Sequence, residues 1–438
     1  FKNWQQSPRD LHFLSRWIVE VREQGGQKAA AEQLLPLMEQ PDPLVAAGVQ
    51  SALILLCLDL GKLVRARELV QSLAALEPEG YRPHYFMGLI LKKLERMGEA
   101  RGLFLEAVKR DQGIADSWRE LVHCCAETGD FERALSYLQQ VSTRAWPAGQ
   151  RRYWIYKRGV IYQGMGNYSL ALVSYTELAL DCLVHGMPQF AGRKSALSQV
   201  PPSAPRAALS EAIDLLEQRG LKPFPSAGTL LGWWREGDFL SHDKDIDIML
   251  PAGTDWQQVL AAVRDAPGFW LMPNEMGYSN FISLTHRASG LVVDISQHEE
   301  AGEGQVKCVW RIPGMPDDAC RQTRQAAYSL VRDQWLGREY WRPEHPDRFL
   351  TDVYGDWRTP MVDFDSVISG HHLVGFPDSV RCLAYSRLGD ALSQGHVKLV
   401  LSYVAQILQK DPLDPLSNHT RNVMAQRRQE VQGRSSET

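Results

Sequence analysis

Residues 223–251 read PFPSAGTLLGWWREGDFLSHDKDIDIMLP, and this stretch decides the fold of the second half of the chain. Asp243, Asp245 and Asp247 alternate with Lys244, Ile246 and Ile248. Successive side chains of a strand point to opposite faces. The pattern predicts a strand that sends Asp245 and Asp247 to one face and the two isoleucines into a core. Asp243 stands at the strand's entrance and can join the other acids. Carboxylates crowded on one face repel one another, and a divalent cation relieves that repulsion. Oxygen-only ligands favour Mg²⁺ or Mn²⁺ over zinc. Before the strand, Gly228-Thr229 leading into Leu230-Leu231-Gly232 predicts a turn into a short helix. The free N–H groups of such a helix suit phosphate oxygens.

A further acid appears downstream in Leu291-Val292-Val293-Asp294-Ile295. This run reads as a buried strand, and an isolated buried aspartate is costly unless it is paired or bound to metal. Placed beside the 245–248 strand, Asp294 would complete the cluster. Upstream, Ala207 to Arg219 has Leu209, Ile213 and Leu216 at helical spacing. The Ser-, Pro- and Ala-rich run at 195–206 (SALSQVPPSAPR) reads as a linker.

The string GTLLGWWREGDFLSHDKDIDI resembles the LicD/fukutin-like family, in which a GTLLG-like helix leads to a D-x-D-x-D strand. Tyr354-Gly355-Asp356-Trp357-Arg358-Thr359-Pro360 resembles that family's Tyr-Gly-Asp-Trp-x-x-Pro segment, and GREYWRP at 337–343 fits its lead-in. The chain departs from the pattern at Lys244, where a further acid is common, and at Ser241-His242, where Pro-Trp is common. The resemblance implies a nucleotidyltransferase-fold domain with an α/β (α+β) arrangement and a mixed sheet over 207–370. It implies metal-dependent transfer of a phosphate-linked group from a CDP-linked donor to a hydroxyl of a cell-surface glycan. Phosphocholine and alditol phosphates such as ribitol or glycerol phosphate all remain open as that group.

In-line phosphoryl transfer needs positioning and charge neutralisation. Two Mg²⁺ (or Mn²⁺) ions are expected, with Asp245 and Asp247 as core ligands, Asp243 on one ion, and Asp294 on the second ion or accepting the proton of the attacking hydroxyl. Gly228 and Thr229 are expected to meet donor phosphate, and Arg235 to clamp it with its planar fork. Trp233 and Trp234 read as core packing, Asp356 as substrate-facing or part of a packed turn, and His298 and His371-His372 as packed or solvated. Two rivals stand beside the transferase. One is a nucleotidyltransferase moving NMP from an NTP to a small acceptor or protein, and the other is a non-catalytic scaffold.

The first half is repetitive. Ala66, Ala100 and Ala134 recur every 34 residues, and a fourth copy at Ala171 is offset by three more. Gly88 and Gly159 each lie twelve residues before one of these alanines. Small residues at these places let paired helices approach, and a 34-residue period resembles the tetratricopeptide repeat (TPR). An all-α TPR-like array is expected over 47–194, preceded by a helical cap or degenerate repeat at 1–46. Leu388, Ala391, Val400, Val404 and Ile407 predict a further TPR-like hairpin within 371–417, followed at 418–438 by a short helical extension and a flexible tail. The array is expected to bind a protein partner, to self-associate, or only to support the catalytic domain.

Bulk composition agrees with a multidomain globular chain. Of 438 residues, 44% are hydrophobic and 23% charged, and the net charge is -4. That balance does not suggest a nucleic-acid binder, which would need a basic excess. The seven cysteines lack CxxC pairing and read as free thiols. The longest apolar run, Leu44 to Leu58, is broken by Gln50 and Ser51 and is too short to span a bilayer. No leader is visible, so a cytoplasmic location, or a peripheral one at the inner membrane of a bacterium, is expected.

Overall fold

The computed structural model describes residues 31–32, 34–35, 43–188, 201–241, 243, 245–264, 266–272, 276–361 and 364–436. Most of the expected cap at 1–46, the first half of the expected linker, His242 and Lys244 lie outside the described residues. The chain divides into two compact units, 1–145 and 146–438.

The first unit is a stack of helical hairpins. Its helices are α1 (Pro43–Asp59), α2 (Leu63–Leu76), α3 (Arg82–Lys93), α4 (Met97–Arg110), α5 (Ala115–Glu127) and α6 (Phe131–Ser142). The turns inside the three hairpins carry left-handed backbone at Gly61, Glu95 and Gly129, again 34 residues apart. Ala66, Ala100 and Ala134 are fully buried. Gly88 shows why the small residue matters, because a Cβ there would stand 2.6 Å from the Phe104 ring.

The second unit opens with one more hairpin, α7 (Ala148–Gly164) and α8 (Tyr168–His185). Its turn residue is Gly166, three positions late as the sequence predicts, and Gly159 meets the Tyr175 ring in the same close approach. At the other end of the chain, α14 (Asp378–Ser393) and α15 (Val397–Lys410) form a hairpin turned by Gly395. Helix α14 packs on α8, and Gly389 fits against Leu178 with no room for a Cβ. The mixed α/β domain is thus inserted between two consecutive hairpins of one helical stack. Leu388, Ala391, Val400, Val404 and Ile407 are all buried in the core they share. Helix α16 (Pro415–Ser436) covers the end, so the expected helical extension takes up most of the segment read as a tail. Its Thr420 and Met424 are buried, which holds it down.

The inserted domain begins with α9 (Ser203–Glu217), four residues before the helix read from sequence. Pro205 lies in its first turn, where a missing N–H costs nothing, so the expected linker is helical in its second half. Then follow β1 (Phe224–Pro225), α10 (Ala227–Glu236), β2 (Asp245–Leu250), α11 (Trp256–Arg264), β3 (Phe269–Leu271), β4 (Phe281–His286) and β5 (Val292–Gln297). The sheet order is β1-β2-β5-β4-β3, with β2 and β5 parallel and the other pairs antiparallel. Ile246, Ile248, Val293, Ile295 and Leu284 fill one face beneath Leu209, Ile213 and Leu216 of α9. Each such side chain contributes about 1.5–3 kcal/mol by leaving water. A second sheet, β6 (Glu299–Gly302), β7 (Gln305–Trp310) and β8 (Arg321–Ala326), and a hairpin of β9 (Leu330–Trp335) and β10 (Arg338–Pro343) follow. Helices α12 (Pro346–Tyr354) and α13 (Ser366–Ser369) lead back to the helical stack.

All seven cysteines are free and six are buried. No helix of the described residues is long and apolar enough to cross a membrane.

Candidate active site

The parallel register of β2 and β5 sets Asp247 directly beside Asp294, and Asp245 lies two residues back on the same face. Paired residues of neighbouring strands project to the same side, so three carboxylates share the face opposite the apolar core. Asp243, just before β2, joins them in lining one cleft of about 480 Å³. The four aspartates read from the sequence are therefore brought together. Among the described residues, no group of three or more His, Cys, Asp or Glu is placed so that it could hold a metal ion.

Helix α10 holds this strand in place. The Ser226 N–H donates to the Asp247 carbonyl at 3.0 Å, and the Asp247 N–H donates to Thr229 Oγ1 at 2.9 Å. Thr229 is buried and does not line the cleft, contrary to its expected phosphate contact. Its hydroxyl is spent on the strand backbone, so it positions Asp247. Gly228 does line the cleft, and a Cβ on it would fall 2.4 Å from Asp243 Oδ2. Its N–H is already directed at the Asp247 carboxylate. Ala227 before it takes φ +42°, backbone that a side chain adopts only under strain and that is common at functional sites.

The electrostatics follow from crowding. Burial pushes the Asp247 carboxyl well above the usual carboxylate range, and the charges of Asp245, Asp243 and Asp294 push it further, against the Gly228 N–H. Burial raises Asp294 to about 7, although Ser283 Oγ donates to its Oδ1 at 2.6 Å.

Arg235 reaches the cleft from α10. It donates to the Trp357 carbonyl at 3.4 Å and pairs with Glu236 at 3.0 Å. Its Nε is buried and meets no acceptor among the described residues. The Tyr-Gly-Asp-Trp segment forms part of the rim, with Tyr354, Asp356 and Trp357 all lining the cleft. Asp356 accepts from Thr359 Oγ1 at 2.6 Å, so it is both turn former and cleft residue.

Residues 220–311 match the family model described as LicD/FKTN/FKRP, nucleotidyltransferase domain. No curated protein matches the chain. The LicD-type match spans β1 to β7 and contains Gly228, Thr229, Arg235 and all four aspartates. It supports a transferase that moves phosphate-linked groups.

Outside the LicD-type match, several cleft residues had not been singled out as functional. Burial, together with the charges of the nearby acids, raises the phenol of Tyr354. Arg321, Thr323 and Gln325 come from β8, and Arg387 and Tyr403 come from α14 and α15. His372 also lines the cleft, where a packed or solvated role had been expected. His298, within the match, is buried with Nδ1 2.7 Å from the Tyr328 hydroxyl and also lines the cleft. Trp233 is core, stacked on Trp335 at 5.0 Å.

Proposed function

We propose that this chain is a metal-dependent transferase. It moves a phosphate-linked group, either phosphocholine or an alditol phosphate, from a CDP-linked donor to a hydroxyl of a cell-surface glycan. The observation that carries the reading is the side-by-side register of Asp247 and Asp294, with Asp245 on the same face and Asp243 at its mouth.

The donor set fits Mg²⁺ or Mn²⁺, since every acid is a hard oxygen ligand. Mg²⁺ needs only one or two protein carboxylates and completes its shell with water and substrate phosphate. Two ions bound here would neutralise the donor pyrophosphate and lower the charge barrier to in-line attack. Asp245 and Asp247 would hold them, Asp243 would serve one, and Asp294 would serve the other or take the proton of the attacking hydroxyl. Arg235, with its open Nε and fork, would steady the leaving phosphate. Thr229 and Gly228 keep Asp247 and Asp243 where these roles need them.

A second reading is favoured by the description of the matched model itself, a nucleotidyltransferase domain. In that case an NTP would donate NMP and release pyrophosphate. Product analysis separates the two. The proposed reaction releases CMP from CDP-choline, CDP-glycerol or CDP-ribitol. Pyrophosphate release from an NTP, with the CDP donors inert, would overturn it.

A further inference from the structure

The cleft has a second wall, opposite in charge to the aspartates. The β7–β8 register pairs Trp310 with Arg321, Cys308 with Thr323 and Val306 with Gln325. Arg321, Thr323 and Gln325 alternate onto one face of β8, and all three line the cleft. The Arg321 guanidinium lies over the Trp310 ring at 4.3 Å. Its Nε and Nη2 donate to the carbonyls of Val367 and Ser366, at 3.0 and 3.3 Å. Arg387 adds a second guanidinium from α14 and pairs through Nε with Asp365 Oδ2 at 2.9 Å. Asp365 therefore offsets one of two positive charges that stand close enough to oppose each other.

Buried polar atoms on this wall also lack partners among the described residues. Gln325 is 5% exposed, and its buried Nε2 meets no acceptor among the described residues. The buried Nδ1 of His372 likewise has no partner among them. A buried polar atom left unmatched is costly. Two guanidiniums that share Asp365 as their near carboxylate, with the unmatched Gln325 amide N–H beside them, form the surface that a phosphate or carboxylate completes. A quaternary ammonium suits it poorly, because Arg321 already covers the Trp310 face such a group would need.

We infer that this wall binds an anionic group, a phosphate or a carboxylate, carried by the acceptor sugar. The inference rests on the transferase reading for its acceptor assignment, though not for the anion site itself. Arg387 and Asp245 line the same cleft, so a sugar anchored here would present a neighbouring hydroxyl to the acidic wall.

The test is titration of the full chain with inorganic phosphate in EDTA, where the bare aspartates repel anions. Arg387→Met and Gln325→Leu should each weaken phosphate binding at least ten-fold without lowering the melting midpoint enough to unfold the protein. Arg324→Met, on the opposite face of β8, should leave it unchanged, and Arg235→Met tests whether phosphate sits at the donor clamp instead. No binding to the wild type, undiminished binding in both variants, or weakening only in Arg235→Met would overturn the site. Repeating the titration with Mg²⁺ and CDP tests the assignment to the acceptor. Phosphate and CDP bound together support it, and displacement of phosphate by CDP overturns it. Failure of CDP to bind at all would remove the transferase reading and the acceptor assignment with it, leaving the EDTA result to stand for the anion site alone.

Discussion

Burial and the charges of Asp245, Asp243 and Asp294 act on Asp247 in the same direction, so the fold holds an acid that it also penalises. Asp247→Asn should remove transfer activity while raising the stability of the metal-free protein, since it removes a charge that burial and its neighbours penalise. Urea denaturation in EDTA checks this, and a destabilised Asn variant would count against the crowding argument. Asp294 gives a pH signature. Its carboxyl titrates near 7 in the fold and near 4 in the unfolded chain. Between those values the unfolded chain has released a proton that the folded one retains. The contribution of Asp294 to stability therefore falls as pH rises from about 4 to about 7, and is constant above that. Asp294→Asn should flatten this part of a stability–pH curve measured in EDTA. Gly228→Ala tests the other end of the cluster. Its Cβ would collide with the Asp243 carboxylate, so activity should fall at least ten-fold in a protein that still folds.

The elements differ in how openly the sequence announces them. The β2 strand was legible because its alternation of acids and isoleucines has the period of a strand, and both faces are used as expected. The repeat was legible because close helix approach leaves room only for Ala or Gly at fixed spacing. Gly159→Ala should cost about 1–3 kcal/mol, the usual penalty for overpacking a filled core, because its Cβ would meet the Tyr175 ring at 2.5 Å. A melting curve measures it, and an unchanged midpoint would contradict the packing. Thr229 could not be placed from sequence, since its hydroxyl faces either a phosphate or a strand amide depending on how α10 sits on β2. Thr229→Val should leave the Asp247 N–H without its acceptor and cost about 1–3 kcal/mol. The β8 residues were silent for a different reason. The run Arg321 to Ala326 is polar on both faces, and only its pairing with β7 turns Arg321, Thr323 and Gln325 toward the cleft.

At the scale of the second unit, the α/β domain interrupts a helical stack that resumes at α14. Sequence periodicity found both ends of that stack, but their direct packing joins residues more than 200 positions apart and leaves no local signal. The insertion makes the cleft a shared product, with acids from the α/β domain and Arg387, Leu399 and Tyr403 from the returning helices. The four acids form one wall of that cleft, and the central claim is that they bind a nucleotide donor through a metal. Calorimetric titration of CDP into the full chain, with and without Mg²⁺, tests this most directly, run in parallel on Asp245→Asn. The account predicts binding that requires Mg²⁺ and is lost in the variant. Binding of equal strength without the metal, or in Asp245→Asn, would contradict it.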